Sequence, residues 1–135
     1  MSAMLADEPQ GQISPSRSVL VVEDDILVRM MIAEELRGAG FLVLEAANAD
    51  EALKILEGNT RINLVMTDVM MPGSMDGVGL AAAVRSKWPL LKIVVASVEA
   101  PAWPRLGLAD AFIGKPYDPA RVVGRIKALL AGSNQ

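Results

Sequence analysis

Five short, mostly apolar runs divide this chain: SVLVVE (18–23), FLVLEA (41–46), INLVMTD (62–68), LKIVVAS (91–97) and DAFIG (110–114). Between them lie segments whose apolar residues recur at helical spacing. Nearly continuous apolar strands belong in a sheet covered on both faces, and strands that alternate with helices build a parallel sheet joined by crossovers. The expected class is therefore α/β, a doubly wound parallel sheet of five strands with helices on both faces.

The helical segments can be placed from their signals. Asp25–Ala39 sets Ile26, Met30, Ala33 and Leu36 on one stripe, and Asp50–Glu57 follows a capping residue, Asn48. Met75–Trp88 is closed by Pro89, and Pro119–Leu130 carries proline in its first turn. The exception is VEAPAWPRLGLA (98–109), where Pro101 and Pro104 make any fourth helix short or irregular. Trp103, between those prolines, reads as a plug over the sheet edge or as an exposed partner contact, with the plug favoured. Residues 1–17 are rich in Pro, Gly, Ser and Gln and are expected to be a disordered arm. A single domain then runs over 18–132, with 133–135 as a tail.

Composition excludes several chemistries. The sequence has no cysteine and no histidine, which rules out disulfides, thiolate or imidazole metal sites and Ser-His-Asp triads within this chain. A formal charge of −3 speaks against a direct nucleic-acid surface. No apolar run is long enough to span a bilayer, and the N-terminus lacks a signal-peptide pattern, so a cytoplasmic protein with no membrane contact is expected. Aromatic residues make up only 4% of the chain, so its core has to be aliphatic.

In open α/β sheets, ligands bind beyond the carboxyl ends of the strands. Glu23, Asp24 and Asp25 follow the first strand, Asp68 ends the third, Ser97 ends the fourth and Lys115 follows the fifth. Taken singly, each is an ordinary cap or loop residue; it is their order at successive strand ends that carries information. Crowded carboxylates repel unless a cation neutralises them. With only hard oxygen donors available, Mg2+ or a similar ion is expected rather than zinc. A neutralised aspartate can act as a nucleophile toward phosphorus, while a hydroxyl and an ammonium hold phosphoryl oxygens.

VVEDD, TDVMMPGSMDG, VVAS and FIGKPY, in that order, resemble the marks of the response-regulator receiver family of two-component signalling. The resemblance extends from about Ser18 to Leu130. It implies a flavodoxin-like strand order 2-1-3-4-5 and a phosphoacceptor at Asp68, aided by Lys115 and Ser97. It also implies Mg2+ held by Glu23, Asp24, Asp68 and the backbone carbonyl of Met70. Ser97 and Phe112 take the switch positions, and Met70 and Glu99 the two positions that tune acyl-phosphate lifetime. Asp25 matches no required position and reads as a helix cap. The Lys115–Pro116 bond is similar to one that is typically cis. Val98 replaces a smaller residue usual in the family, the loop PGSMDG is one residue longer than the common form, and the segment after Ser97 is shorter.

On this resemblance the chain is expected to be a stand-alone receiver. It would catalyse only its own phosphorylation and dephosphorylation, and it would pair with a sensor histidine kinase or histidine phosphotransfer protein and an unidentified downstream protein. It would be a monomer or weak dimer. Two alternatives are the terminal receiver of a hybrid histidine kinase and a pseudo-receiver that binds without being phosphorylated. An aspartyl-phosphate phosphatase would carry a second aspartate two positions after Asp68, where this chain has Met70.

Overall fold

The structure, a computed structural model, describes residues 17–58, 61–69, 73, 75–98 and 108–132. The expectations placed on residues 1–16, Met70, Glu99, Trp103 and the irregular helix after Ser97 lie outside these residues, as does the tail.

Among the described residues nine elements follow in order: β1 Ser18–Val22, α1 Ile26–Gly38, β2 Leu42–Ala46, α2 Ala49–Gly58, β3 Leu64–Asp68, α3 Gly77–Lys87, β4 Lys92–Ser97, β5 Ala111–Gly114 and α4 Pro119–Gly132. The five strands form one sheet in the order β2-β1-β3-β4-β5, and every neighbouring pair is parallel. Because side chains alternate across a strand, each strand feeds two cores. Leu20, Val22, Val65, Ile93 and Val95 pack with Ala52, Leu56, Leu80 and Val84 of α2 and α3. Val19, Val21, Leu64, Met66 and Val94 pack with Ile32, Leu36, Val122 and Ile126 of α1 and α4. Each fully buried Leu or Ile contributes roughly 2 kcal/mol by leaving water. The buried apolar side chains are aliphatic throughout, as the composition requires.

Local signals set the helix starts. Asp25 accepts from the Leu27 and Val28 N–H groups and caps α1, the role read for it in the sequence. Asn48 accepts from Glu51 N–H while the Glu51 carboxylate accepts from Ala47 N–H, a reciprocal cap on α2. Helix α3 begins at Gly77, two residues later than its apolar pattern suggests, because Asp76 caps it through Gly79 N–H. β3 begins at Leu64, and just before it the Asn63 side chain accepts from Ser18 N–H at 2.8 Å on the neighbouring strand.

The stripe expected on α1 is only half correct. Ala33 and Leu36 are buried, together with Ile32, but Ile26 and Met30 are 58% and 47% exposed. The period is helical, yet the first turns of α1 bury no residue.

One side chain ties the opposite end of the sheet together. The Arg85 guanidinium donates to the carbonyls of Pro89, Leu91 and Leu108 and to Asp110 Oδ2 at 2.8 Å. Asp110 Oδ2 also accepts from Ile93 N–H at 2.8 Å. The end of α3 is thereby pinned to the starts of β4 and β5. Asp110→Ala is expected to lower stability by about 2 kcal/mol, since it strips a charged partner from both a guanidinium and a strand amide; urea unfolding measures it.

Candidate functional site

The parallel sheet turns all five carboxyl ends to one edge. β1 delivers Glu23 and Asp24, β3 ends on Asp68, β4 ends on Ser97, and β5 leads into Lys115. One carboxylate oxygen from each of Glu23, Asp24 and Asp68 lies within 4.8 Å of the other two. Glu23 and Asp68 are nearly buried at 4% and 8% exposure, while Asp24 stands in solvent. The Lys115 ammonium bridges the buried pair, at 3.0 Å from Asp68 Oδ2 and 3.4 Å from Glu23 Oε1. Lys115 is itself placed by its N–H, which donates to the Ser97 carbonyl at 2.7 Å, and its bond to Pro116 is cis.

Close packing beneath Asp68 depends on glycine. Gly77 N–H donates to Val69 O at 2.9 Å, and a Cβ at Gly77 would collide with the Asp68 carbonyl oxygen. A side chain there would push β3 and its terminal carboxylate out of place. In the same loop Gly73 has φ +109°, a conformation that glycine adopts without strain.

Burial raises the Glu23 carboxyl above its ordinary value of 4.5, and the Asp68 charge adds to this; the hydrogen bond from Asp25 N–H and the Lys115 charge oppose it. For Lys115, burial acts downward. The hydrogen bond to Asp68 and the charges of Glu23 and Asp68 outweigh it and hold the ammonium above its usual 10.5. Ionised Glu23 is thus a cost in the folded protein that grows as pH rises above 4.5, and a cation beside it would relieve that cost. Three carboxylates without nitrogen or sulfur donors suit Mg2+, which takes few carboxylates and keeps waters. Both Glu23 oxygens already accept hydrogen bonds, from Lys115 and from Asp25 N–H. Asp24 is the solvent-facing carboxylate of the three.

Ser97 pairs with Gly114 across β4 and β5 at the rim of the site. Phe112, on β5, is half-buried against the α2–α3 core and also lines a cleft of about 660 Å3 with Tyr117, Arg121 and Arg125. Val98 is 72% exposed beside the site.

Three contributors escaped the sequence reading. Gly77 stands in the quoted loop motif, but its packing role is not legible there, since it is set by the approach of the Asp68 carbonyl and Val69. Arg29, whose guanidinium donates to the Glu23 carbonyl at 2.8 Å, looked like any exposed helix residue. Tyr117 follows the Lys-Pro pair and packs partly buried against the α1–α4 core.

Tyr117 provides a reporter. Burial, then the charges of Glu23, Asp68 and Asp25, push its phenol up to about 12, against the pull of Lys115. A phenol raised in the folded state stabilises fully below its unfolded value of 10.0, and that contribution is lost as pH rises through about 12. Near-ultraviolet titration of this single tyrosine is expected to show a midpoint well above that of a free phenol, with folding stability declining from pH 10.0 upward.

Comparison with known proteins agrees with the geometry. Residues 19–127 match the response regulator receiver domain family. The chain is 35% identical over 121 residues to the transcriptional regulatory protein ResD of Bacillus subtilis, covering 87% of this chain and 49% of ResD. It is 36% identical over 128 residues to the sensor kinase CckA of Brucella abortus, covering 91% of this chain and 13% of that kinase. The chain thus spans about half the length of ResD and a small part of CckA. Among solved structures, the response regulator TrrA of Thermotoga maritima, in complex with Mg2+-BeF, is 29% identical with a TM-score of 0.76, covering 84% of this chain and 98% of TrrA. With its 2-1-3-4-5 parallel sheet and an acidic pocket at the strand ends, the chain belongs to the response regulator receiver domain family, a signalling module of two-component systems rather than an enzyme in the ordinary sense.

Proposed function

We propose that this domain is a phosphoacceptor that takes a phosphoryl group from a phosphohistidine partner onto Asp68. One observation carries the reading: a nearly buried aspartate at the end of a central strand, with two further carboxylates within 4.8 Å and an ammonium at 3.0 Å. Glu23, Asp24 and Asp68, with the Met70 carbonyl, would hold Mg2+. TrrA, the relative in complex with Mg2+-BeF, supports that assignment.

The chemistry is an in-line displacement. A carboxylate oxygen of Asp68 attacks phosphorus, the bond from phosphorus to the donor imidazole nitrogen breaks, and the nitrogen keeps the electron pair. Asp68 then carries an acyl phosphate. Bound Mg2+ supplies neutralisation of charge on the phosphoryl oxygens. Lys115 exchanges part of its contact with Asp68 for a phosphoryl oxygen, and Ser97 offers its hydroxyl to another. The added charge, about −2 at neutral pH, draws Ser97 and Lys115 inward. Through the Ser97–Gly114 and Val95–Phe112 pairing, that pull biases the exposure of Phe112. Met70 and Glu99 set the acyl-phosphate lifetime, with apolar Met70 unable to orient an attacking water.

The donor has to approach past α1. Ile26, Leu27, Met30 and Met31 are 58%, 70%, 47% and 54% exposed, an apolar face next to Asp24. Such a face marks a protein contact, here a sensor histidine kinase or a histidine phosphotransfer protein. No described helix is long and apolar enough to cross a membrane, and the proposed setting is the cytoplasm, with output through a downstream protein. The match to one segment of the sensor kinase CckA favours a second reading, that of a receiver within a hybrid kinase.

Intact-mass measurement after incubation with acetyl phosphate and Mg2+ tests the reading. One phosphoryl adduct is expected on the wild type and none on Asp68→Asn or without metal. Absence of an adduct with both acetyl phosphate and a phosphohistidine donor would leave a pseudo-receiver. Leu27→Glu with Met31→Glu is expected to slow transfer from the protein donor at least tenfold, roughly the loss from two apolar contacts at an interface centre, while leaving the acetyl phosphate reaction unchanged.

A further inference from the structure

Arg29 lies outside the acidic pocket yet is bonded to its backbone. It projects from the first turn of α1, is 15% exposed, and donates from Nη1 to the Glu23 carbonyl at 2.8 Å. Its Nε donates to Glu45 Oε1 at 3.2 Å, on the neighbouring strand β2. The other Glu45 oxygen accepts from Arg37 at 3.2 Å, and Arg37 also donates to the Val43 carbonyl. The Arg29 fork is therefore held from behind by a carboxylate that is itself fixed.

The bonded carbonyl belongs to the peptide unit that joins Glu23 to Asp24. Fixing that plane fixes the relative aim of both carboxylates. Among the described residues, the other contacts of this turn hold the Glu23 carboxylate, which Lys115 also engages, the Glu23 N–H or the start of α1, whereas the Arg29 bond holds the carbonyl between the two acidic residues. Asp25 N–H binds the Glu23 side chain, Asp25 caps α1, and Glu23 N–H donates to the Ala46 carbonyl on β2. Attachment of α1 to the sheet is already supplied by Ile32, Ala33 and Leu36, all buried. We infer that Arg29, locked by Glu45, is the positioning residue of the acidic pocket: it orients Glu23 and Asp24 for cation binding without touching the cation. This rests on the reading of the pocket as a Mg2+-dependent phosphoacceptor site.

An arginine is suited to this role because a planar fork can satisfy a carbonyl and a carboxylate at once, whereas a lysine ammonium offers no such fixed geometry. Groups that orient metal ligands from behind are worth roughly 10- to 100-fold in metal affinity. A purely electrostatic role has the opposite sign, since deleting a cation near the pocket would tighten Mg2+.

The test is calorimetric titration of the full 135-residue chain with MgCl2, in parallel with urea unfolding without metal. Arg29→Ala is expected to weaken Mg2+ binding by about tenfold. Glu45→Ala should weaken it in the same direction by less, and Glu45→Gln, which keeps an acceptor for Arg29 Nε, should bind like the wild type. Asp110→Ala, destabilised at the far end of the sheet, should keep wild-type affinity. Affinity of Arg29→Ala within roughly twofold of wild type, or tighter, overturns the inference, because an orienting group has to cost more than that. Equal weakening in Asp110→Ala also overturns it, by showing a global effect. If Arg29→Ala does not fold, an unchanged affinity in Glu45→Ala overturns it instead. A wild type that binds no Mg2+ overturns the phosphoacceptor reading on which it stands.

Discussion

The Lys115 ammonium makes the site possible. Two carboxylates as buried as Glu23 and Asp68 would repel each other and each lose its hydration, so one would be protonated or displaced without a cation between them. Lys115 sits 3.0 Å from one and 3.4 Å from the other. Removing one partner from such a buried pair costs on the order of 3–5 kcal/mol. The contact is therefore as much a condition of folding as of chemistry. The ammonium holds the Asp68 carboxylate at the end of its strand, where under the proposed function a phosphoryl oxygen and a divalent cation would compete for its contacts.

Everything that positions this triad follows from the parallel sheet. Parallel strands put all their carboxyl ends on one edge, so residues as far apart in the chain as Glu23 and Lys115 meet there. The opposite edge is secured separately, by the Arg85–Asp110 pair and the Asn63–Ser18 contact. One edge thus holds its geometry through hydrogen bonds that play no part in the chemistry. The other concentrates charge that the fold tolerates only through pairing. Gly77 connects the two demands, because its missing side chain lets the start of α3 press against the end of β3.

The exposed apolar turns of α1 fit the same logic. A residue stripe that began as a core face would bury Ile26 and Met30 against the sheet. Instead these residues stay in solvent, close in the chain to Asp24. The first turn is held by other means: the Asp25 cap and the Arg29 bond to the Glu23 carbonyl. Polar contacts secure the start of α1, so its first turns hold without burying apolar side chains.

By itself the sequence determined the alternation of strands and helices, the aliphatic core, the caps at Asp25 and Asn48, and which residues stand at the strand ends. Those are consequences of local periodicity and local hydrogen bonding, which a linear chain displays directly. Strand order came from resemblance, because nothing in an apolar run states which neighbour it pairs with. The tertiary structure alone decided that Ile26 and Met30 are exposed, that Arg29 reaches the Glu23 carbonyl, that Gly77 touches the Asp68 carbonyl, and that Asp110 binds Arg85. Each of these depends on how separate elements are set against one another, whether they lie 25 residues apart, as Asp110 and Arg85 do, or only 6, as Arg29 and Glu23 do. That setting is fixed only when both cores close on the sheet.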